Sequence, residues 1–160
     1  MVIYAKIAIE REDRKIKKTY IALLNSGAGL SVYDPEIDFL PILYILVPWG
    51  VGEELGIKRE GLLRRGGKYW VDTESQYVVY LYDPYDNLVK CMRNVLLVIE
   101  DGLDELLIPY EFLAIAKIDL KPSKHAWVCE GKEIPSFFRV RNPRDVEKGL
   151  LKYTRYREYV

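Results

Sequence analysis

The sequence predicts an all-β domain with one short helix, and three observations carry that expectation. Runs rich in Val, Ile, Tyr and Thr recur along the chain, bounded by Gly, Pro, Asn and Asp, the pattern of strands separated by turns. Within the main body only residues 111–117 (EFLAIAK) have the Leu and Ala content that favours helix. The longest apolar stretch, from Phe39 to Val51, is broken by Pro41 and Pro48. It falls short of the roughly 20 apolar residues that a membrane-spanning helix needs.

Residues 2–9 alternate apolar and polar, as a half-buried strand does, whereas residues 19–24 form a nearly continuous apolar run, as in a strand buried on both faces. The cluster Asn25-Ser26-Gly27-Ala28-Gly29 then requires a sharp loop. Residues 69–71, 77–82 and 89–99 are three further strand candidates, and Asp83-Pro84-Tyr85-Asp86-Asn87 favours a turn between the last two. A strand over 105–108 feeds into Pro109, which a first helical turn tolerates, and then into the helix at 111–117. Residues 126–128 close the main body as a final strand. From Ile134 the composition shifts to arginines interleaved with Phe and Tyr, and residues 145–159 suit a basic amphipathic helix. The expected organisation is therefore a domain over 1–133 and a basic, Tyr-rich extension over 134–160.

The chain has 160 residues, the length of one domain, and 49% of them are hydrophobic, which supplies a core and argues against disorder. Lys plus Arg equals Asp plus Glu at 24 each. That balance argues against a strongly basic nucleic-acid binder, and the Arg–Tyr extension reads better as a solvated helix or a dimer-clasping arm than as an RNA contact. Cys91 and Cys129 fit neither a zinc spacing nor a disulfide framework, so no metal is expected and two free thiols in a reducing compartment are. The amino-terminal residues alternate and then turn charged, where a secretory signal would run uninterrupted and apolar. A cytoplasmic location is the resulting expectation. The stretch from Phe39 to Val51 reads either as extra core or as an exposed apolar surface for assembly or peripheral membrane contact. His125, with no Cys or carboxylate cluster around it in sequence, is given no catalytic role.

One motif carries chemistry. Leu23-Leu24-Asn25-Ser26-Gly27-Ala28 comes directly after an apolar strand, and it resembles the active-site signature of the retropepsin-like (retroviral-type) aspartic peptidases. That signature is two apolar residues, Asp, Thr or Ser, Gly, and Ala or Ser. Glu54-Leu55-Gly56-Ile57 resembles the leucine-glycine-apolar step found in intracellular relatives of archaeal or bacterial type. Leu106-Leu107-Ile108-Pro109, running into Tyr110 to Leu113, resembles the second signature, an apolar strand, a glycine and a short helix. The marks fall in the family's order between Thr19 and Trp127.

The resemblance implies a single-lobe β-barrel, no cofactor, and a two-fold homodimer. Amide hydrolysis of this type uses two carboxylates sharing a proton: one takes the proton of a water while the other donates to the carbonyl oxygen. A chain with one signature loop supplies one carboxylate, so the second comes from another copy. Asn25 stands at the aspartate position, with Ser26 and Gly27 supporting the loop and Ala28 and Gly29 beside the substrate. A neutral amide accepts no proton, so an acid-favouring endopeptidase acting on extended peptides or unfolded protein would be silent as written. Asn25 is either a substitution in an active enzyme or the mark of a peptide-binding or assembly module that has lost the acid. Pro109 replaces the family's glycine and puts the packing beneath the loop in question. For the flap, the hairpin that covers substrate, two turns qualify: Arg65-Gly66-Gly67-Lys68, and Asp72-Thr73-Glu74-Ser75, whose flanking strand pattern is the better, so that Trp70, Asp72 and Thr73 are expected at the substrate. Both also read as ordinary surface turns.

Overall fold

A computed structural model of the chain describes residues 2–24, 43–139 and 156–158. The first two strands, β1 (Ile3–Arg11) and β2 (Ile16–Leu24), form a hairpin in register from Ile3↔Leu24 to Arg11↔Ile16. Ile3, Ile7 and Ile9 of β1 and Tyr20, Ala22 and Leu24 of β2 point into one core. A second, longer hairpin joins β5 (Tyr69–Tyr82) to β6 (Leu88–Glu100). Its turn is set by Asp83, whose carboxylate accepts hydrogen bonds from the Tyr85 and Asn87 amides, each 2.9 Å, and from Asn87 Nδ2 at 3.0 Å.

β5 covers both segments that the sequence suggests as separate strands, 69–71 and 77–82. Its first part pairs with β4 (Leu63–Arg65) and its last part with β1, from Tyr77↔Arg11 onward. Between them the register against β6 shifts from Asp72 to Tyr77. Such a bulge bends a strand and sharpens its twist, which lets β5 leave one neighbour and meet another.

Two short strands complete the wall. β3 (Tyr44–Val47) runs parallel to β6 and antiparallel to β7 (Leu106–Ile108), and β7 runs parallel to β2. The order β1-β2-β7-β3-β6-β5, with β5 returning to β1, closes a six-stranded barrel, and β4 lies outside it as the arm of a hairpin. Closure removes the unpaired sheet edges that β proteins otherwise have to protect. Every residue of β3 is buried, because a strand with neighbours on both edges and packing on both faces needs apolar residues throughout. This corrects the reading of the stretch from Phe39 to Val51 as an exposed apolar surface: residues 44–47 are central core, and residues 39–42 lie outside those described.

The chain leaves β3 through α1 (Trp49–Glu54), a helix not anticipated from sequence, and leaves β7 through α2 (Tyr110–Ala116), which was. Val51 and Leu55 on one side and Phe112, Leu113 and Ala116 on the other join the barrel core. A small sheet of β8 (Ile118–Lys121), β9 (Ala126–Cys129) and β10 (Lys132–Pro135) adds the fully buried Trp127. The boundary expected after residue 133 falls inside β10. Ile134 is core, and Ser136, fully buried, accepts the Tyr4 amide N–H at 2.8 Å. β11 (Phe137–Arg139) pairs with β12 (Tyr156–Glu158), so residues 156–158 are strand where the sequence suggested the end of a helix. The rest of that expected helix lies outside the described residues. Among the described residues no helix is long and apolar enough to cross a membrane.

Candidate functional site

β2 and β7 lie side by side and parallel, with Ala22↔Leu106, Leu23↔Leu107 and Leu24↔Ile108 in register. Both strands end at the same level, β2 at Leu24 and β7 at Ile108. Asn25, Ser26, Gly27, Ala28 and Gly29 come next after Leu24 and lie outside the described residues. The strand that precedes them and its neighbour β7 are described. Ala22, Leu24, Leu106 and Ile108 face the barrel core. Leu23 and Leu107 alternate to the outer face, where they pack in a second apolar cluster with Tyr44, Leu46, Tyr69, Val71 and Val98.

Pro109 caps α2 at φ −76° and ψ 167°, an extended conformation that proline's fixed φ fits without strain. Its carbonyl accepts the Leu113 amide N–H at 3.1 Å, so α2 starts normally with proline at this position. Next to it the Tyr44 hydroxyl donates to Glu111 Oε2 at 3.4 Å. Burial, reinforced by the Glu111 charge, pushes the Tyr44 hydroxyl far above its ordinary range, so it stays a proton donor.

Of the two flap candidates, Arg65-Gly66-Gly67-Lys68 is the hairpin turn, joining β4 to β5 with Gly66 at φ 61° and Gly67 at φ 77°. Those positive φ angles, which glycine adopts without strain, suit the tight connection of a short hairpin, and Arg64 Nη2 donates to the Gly67 carbonyl at 2.7 Å. The other candidate, Asp72 to Ser75, is no turn between strands but the bulge within β5. Its polarity reflects local satisfaction: Asp72 Oδ1 accepts the amides of Glu74 and Ser75, both at 3.1 Å, and Oδ2 accepts the Tyr77 hydroxyl at 2.5 Å. Thr73 is exposed.

Trp70 sits in an aromatic and cationic cluster that sequence reasoning missed. Its ring meets Trp49 edge-on at 5.6 Å, and the Arg59 guanidinium lies 4.5 Å from the Trp49 centroid and 4.8 Å from that of Trp70. Arg64 covers Trp70 at 5.1 Å. Asp101 Oδ1 accepts both indole N–H groups, at 2.6 Å from Trp49 and 3.2 Å from Trp70. The Trp49 hydrogen bond, then that of Trp70 and the two arginines, hold the Asp101 carboxyl below the usual carboxylate range. Trp70 packs against the barrel-core cluster, whereas Tyr69 and Val71 share the outer face with Leu23 and Leu107. The residues at the start of β5 that share a face with Leu23 and Leu107 are therefore Tyr69 and Val71. The phase of the alternation through 69–72 is the signal that could have identified them.

A cavity of about 240 Å³ lies between Arg11, Arg14, Lys58, Glu60, Asp72 and Glu74. It is at the Arg11 end of β1, roughly 26 Å along the strand from the Ile3–Leu24 end, and its cations and carboxylates balance. Arg11 there is already engaged, with Nη1 donating to the Leu55 carbonyl at 2.9 Å and Nε to Asp13 Oδ1 at 3.0 Å. Among the described residues no group of three or more His, Cys, Asp or Glu could hold a metal. His125 is buried with Nε2 3.1 Å from the Val2 carbonyl oxygen, a structural position.

No family model matches the chain, and no curated protein matches it. Among solved structures it is similar to the retroviral protease-like domain of Ddi1 from Leishmania major. The TM-score is 0.52 at 14% identity, over 85% of this chain and 96% of that one. Six-stranded closure, the parallel β2–β7 pair with α2 behind it and this likeness agree: the fold of the chain is retropepsin-like.

Proposed function

We propose that the chain is one lobe of an aspartic endopeptidase of retropepsin type, that two copies form a homodimer around a shared site, and that Asn25 silences it as written. The observation that carries this reading is the level, parallel ending of β2 and β7, with the Asn25-Ser26-Gly27-Ala28 loop continuing directly from Leu24. With aspartate at position 25 in both copies, one carboxylate takes the proton of a water while the other protonates the carbonyl oxygen of an extended peptide. The Ser26 hydroxyl braces the loop and Gly27 lets it turn, while Ala28 and Gly29 lie along the substrate. The β4–β5 hairpin closes over it. Asparagine keeps the shape and a hydrogen-bond acceptor but cannot take up the proton, so binding persists and turnover stops. The reading needs no cofactor and places the protein in the cytoplasm.

The test compares this chain with Asn25→Asp on an unfolded protein substrate, from acid to neutral pH, with an aspartic-peptidase inhibitor as control. Inhibitor-sensitive cleavage by the aspartate form alone is expected, from a species sedimenting as a dimer. A folded, dimeric Asn25→Asp protein that leaves the substrate intact removes the peptidase reading. Asn25 itself favours a second reading, a peptide-binding or assembly module on the same fold. Peptide binding by both forms without cleavage by either is its signature.

A further inference from the structure

We propose that Glu100 is an acid-operated latch at the root of the β4–β5 hairpin, holding the root docked when its carboxyl is uncharged and loosening it when ionised. Glu100 is the last residue of β6, in register with Tyr69 of β5, which is in register with Arg65 of β4. The three side chains stand abreast across the three strands where the hairpin leaves the barrel. The next rung is the last main-chain tie, the Asp101 amide donating to the Lys68 carbonyl at 2.8 Å.

Glu100 continues the outer-face row of Leu96 and Val98 and is 8% exposed, at the edge of the apolar cluster that holds Tyr69. Among the described residues its Oε1 is buried with no hydrogen-bond partner. An ionised carboxylate only accepts hydrogen bonds and resists burial without donors, whereas the protonated form tolerates it. Burial pushes the Glu100 carboxyl up, and the Lys68 charge and the Tyr69 hydroxyl pull it only part of the way back. The groups facing it are Arg65 on β4, Lys68 in the hairpin turn, Tyr69 at the start of β5, and Asp101, which follows it just beyond β6. Lys68 is exposed, with its ammonium 5.1 Å from the Tyr69 ring centroid, outside the apolar cluster. The cost of burial that Lys68 and Tyr69 leave uncompensated is relieved either by taking a proton or by letting the root open to water.

Linkage gives the sign. A carboxyl raised in the docked state stabilises docking below its free value and loses that contribution as pH rises through the raised one. Acid closes the hairpin and neutrality loosens it. The latch stands on the geometry of the hairpin alone; its value to an acid-favouring peptidase rests on the proposed function. The test is backbone hydrogen exchange of the full chain between about pH 4 and about pH 7, corrected for intrinsic exchange. Residues 63–71 are expected to lose protection several-fold as pH rises, and Glu100→Gln is expected to make that protection independent of pH. The same pH slope in both proteins overturns the latch, as does a variant that is uniformly less protected with the slope retained. A carboxyl-resolved NMR titration of the unsubstituted protein is independent of how the variant folds. A Glu100 midpoint in the ordinary glutamate range refutes the proposal. Peptidase activity enters neither readout, so failure here is separable from failure of the proposed function.

Discussion

Replacing Asp72 by alanine tests whether that residue serves the bulge of β5 or a substrate. Its carboxylate accepts three hydrogen bonds, from the Glu74 and Ser75 amides and from the Tyr77 hydroxyl. The donors differ in what they can do once it is gone. Glu74 is exposed and Ser75 half-buried, so water replaces the acceptor for their amides at a cost of about 1 kcal/mol together. Tyr77 is 0% exposed, and its hydroxyl, held strongly protonated by burial and by Asp72, is left without an acceptor, which costs about 2 kcal/mol. Asp72→Ala should therefore lose about 3 kcal/mol of unfolding free energy in urea, read by linear extrapolation. Tyr77→Phe in the same background should cost nothing further, because both members of the pair are then gone. The cycle of Asp72→Ala, Tyr77→Phe and the double variant should report a coupling of about 1–2 kcal/mol. Loss of less than about 1 kcal/mol in Asp72→Ala, or strict additivity in the cycle, would show that the carboxylate is not what holds the bulge.

The packing sets three further outcomes. Burial alone would raise Asp83, but Asn87, through its amide and side chain, outweighs it with Lys132 and the Tyr85 amide and holds the carboxyl at about 2. Its contribution is complete above about pH 4 and is lost as pH falls toward about 2, so Asp83→Asn should flatten that part of a Tm-versus-pH curve. A Cβ on Gly52 would lie 2.7 Å from Ile99 Cδ1, so Gly52→Ala should cost about 1 kcal/mol net of its helix gain. Adding Ile99→Val, which removes that methyl, should recover the loss in thermal melts. Asp101→Ala removes the acceptor shared by Trp49 and Trp70. Limited trypsin digestion at Arg64, Arg65 and Lys68 should then quicken several-fold with only a small fall in Tm, and unchanged digestion would show that the cluster does not anchor the hairpin.

Strands with local signals were legible in the sequence: β1 by alternation, β2 by its apolar run before a small-residue loop, and the β5–β6 hairpin by the Asp83 to Asn87 turn. β3 was not. A strand paired on both edges carries no alternation, and the prolines at 41 and 48 disguised it as an irregular insert. The run at 72–75 was misread because bulges and turns use the same polar residues, and only the register against β6 separates them. In the site, the motifs marked the strands ending at Leu24 and Ile108, but their parallel pairing, between segments far apart in the chain, left no local signal. The Trp49–Trp70–Asp101 cluster had no such trace, since it joins three segments that no short window contains. The boundary after 133 tracked a change in composition, while Ile134 and Ser136 answer to burial.

The parallel pairing of β2 with β7 also sets the order in which the molecule can assemble. The β1–β2 and β5–β6 hairpins close over short distances and can form early, but Ala22 meets Leu106 only after almost the whole barrel sequence lies between them. Contacts of such long sequence separation form late and slowly. On a ribosome β2 emerges long before β7, so a nascent chain that stops short of β7 holds the β1–β2 hairpin without its parallel neighbour. The barrel therefore stays open until synthesis has passed Ile108 and β7 has taken its place between β2 and β3.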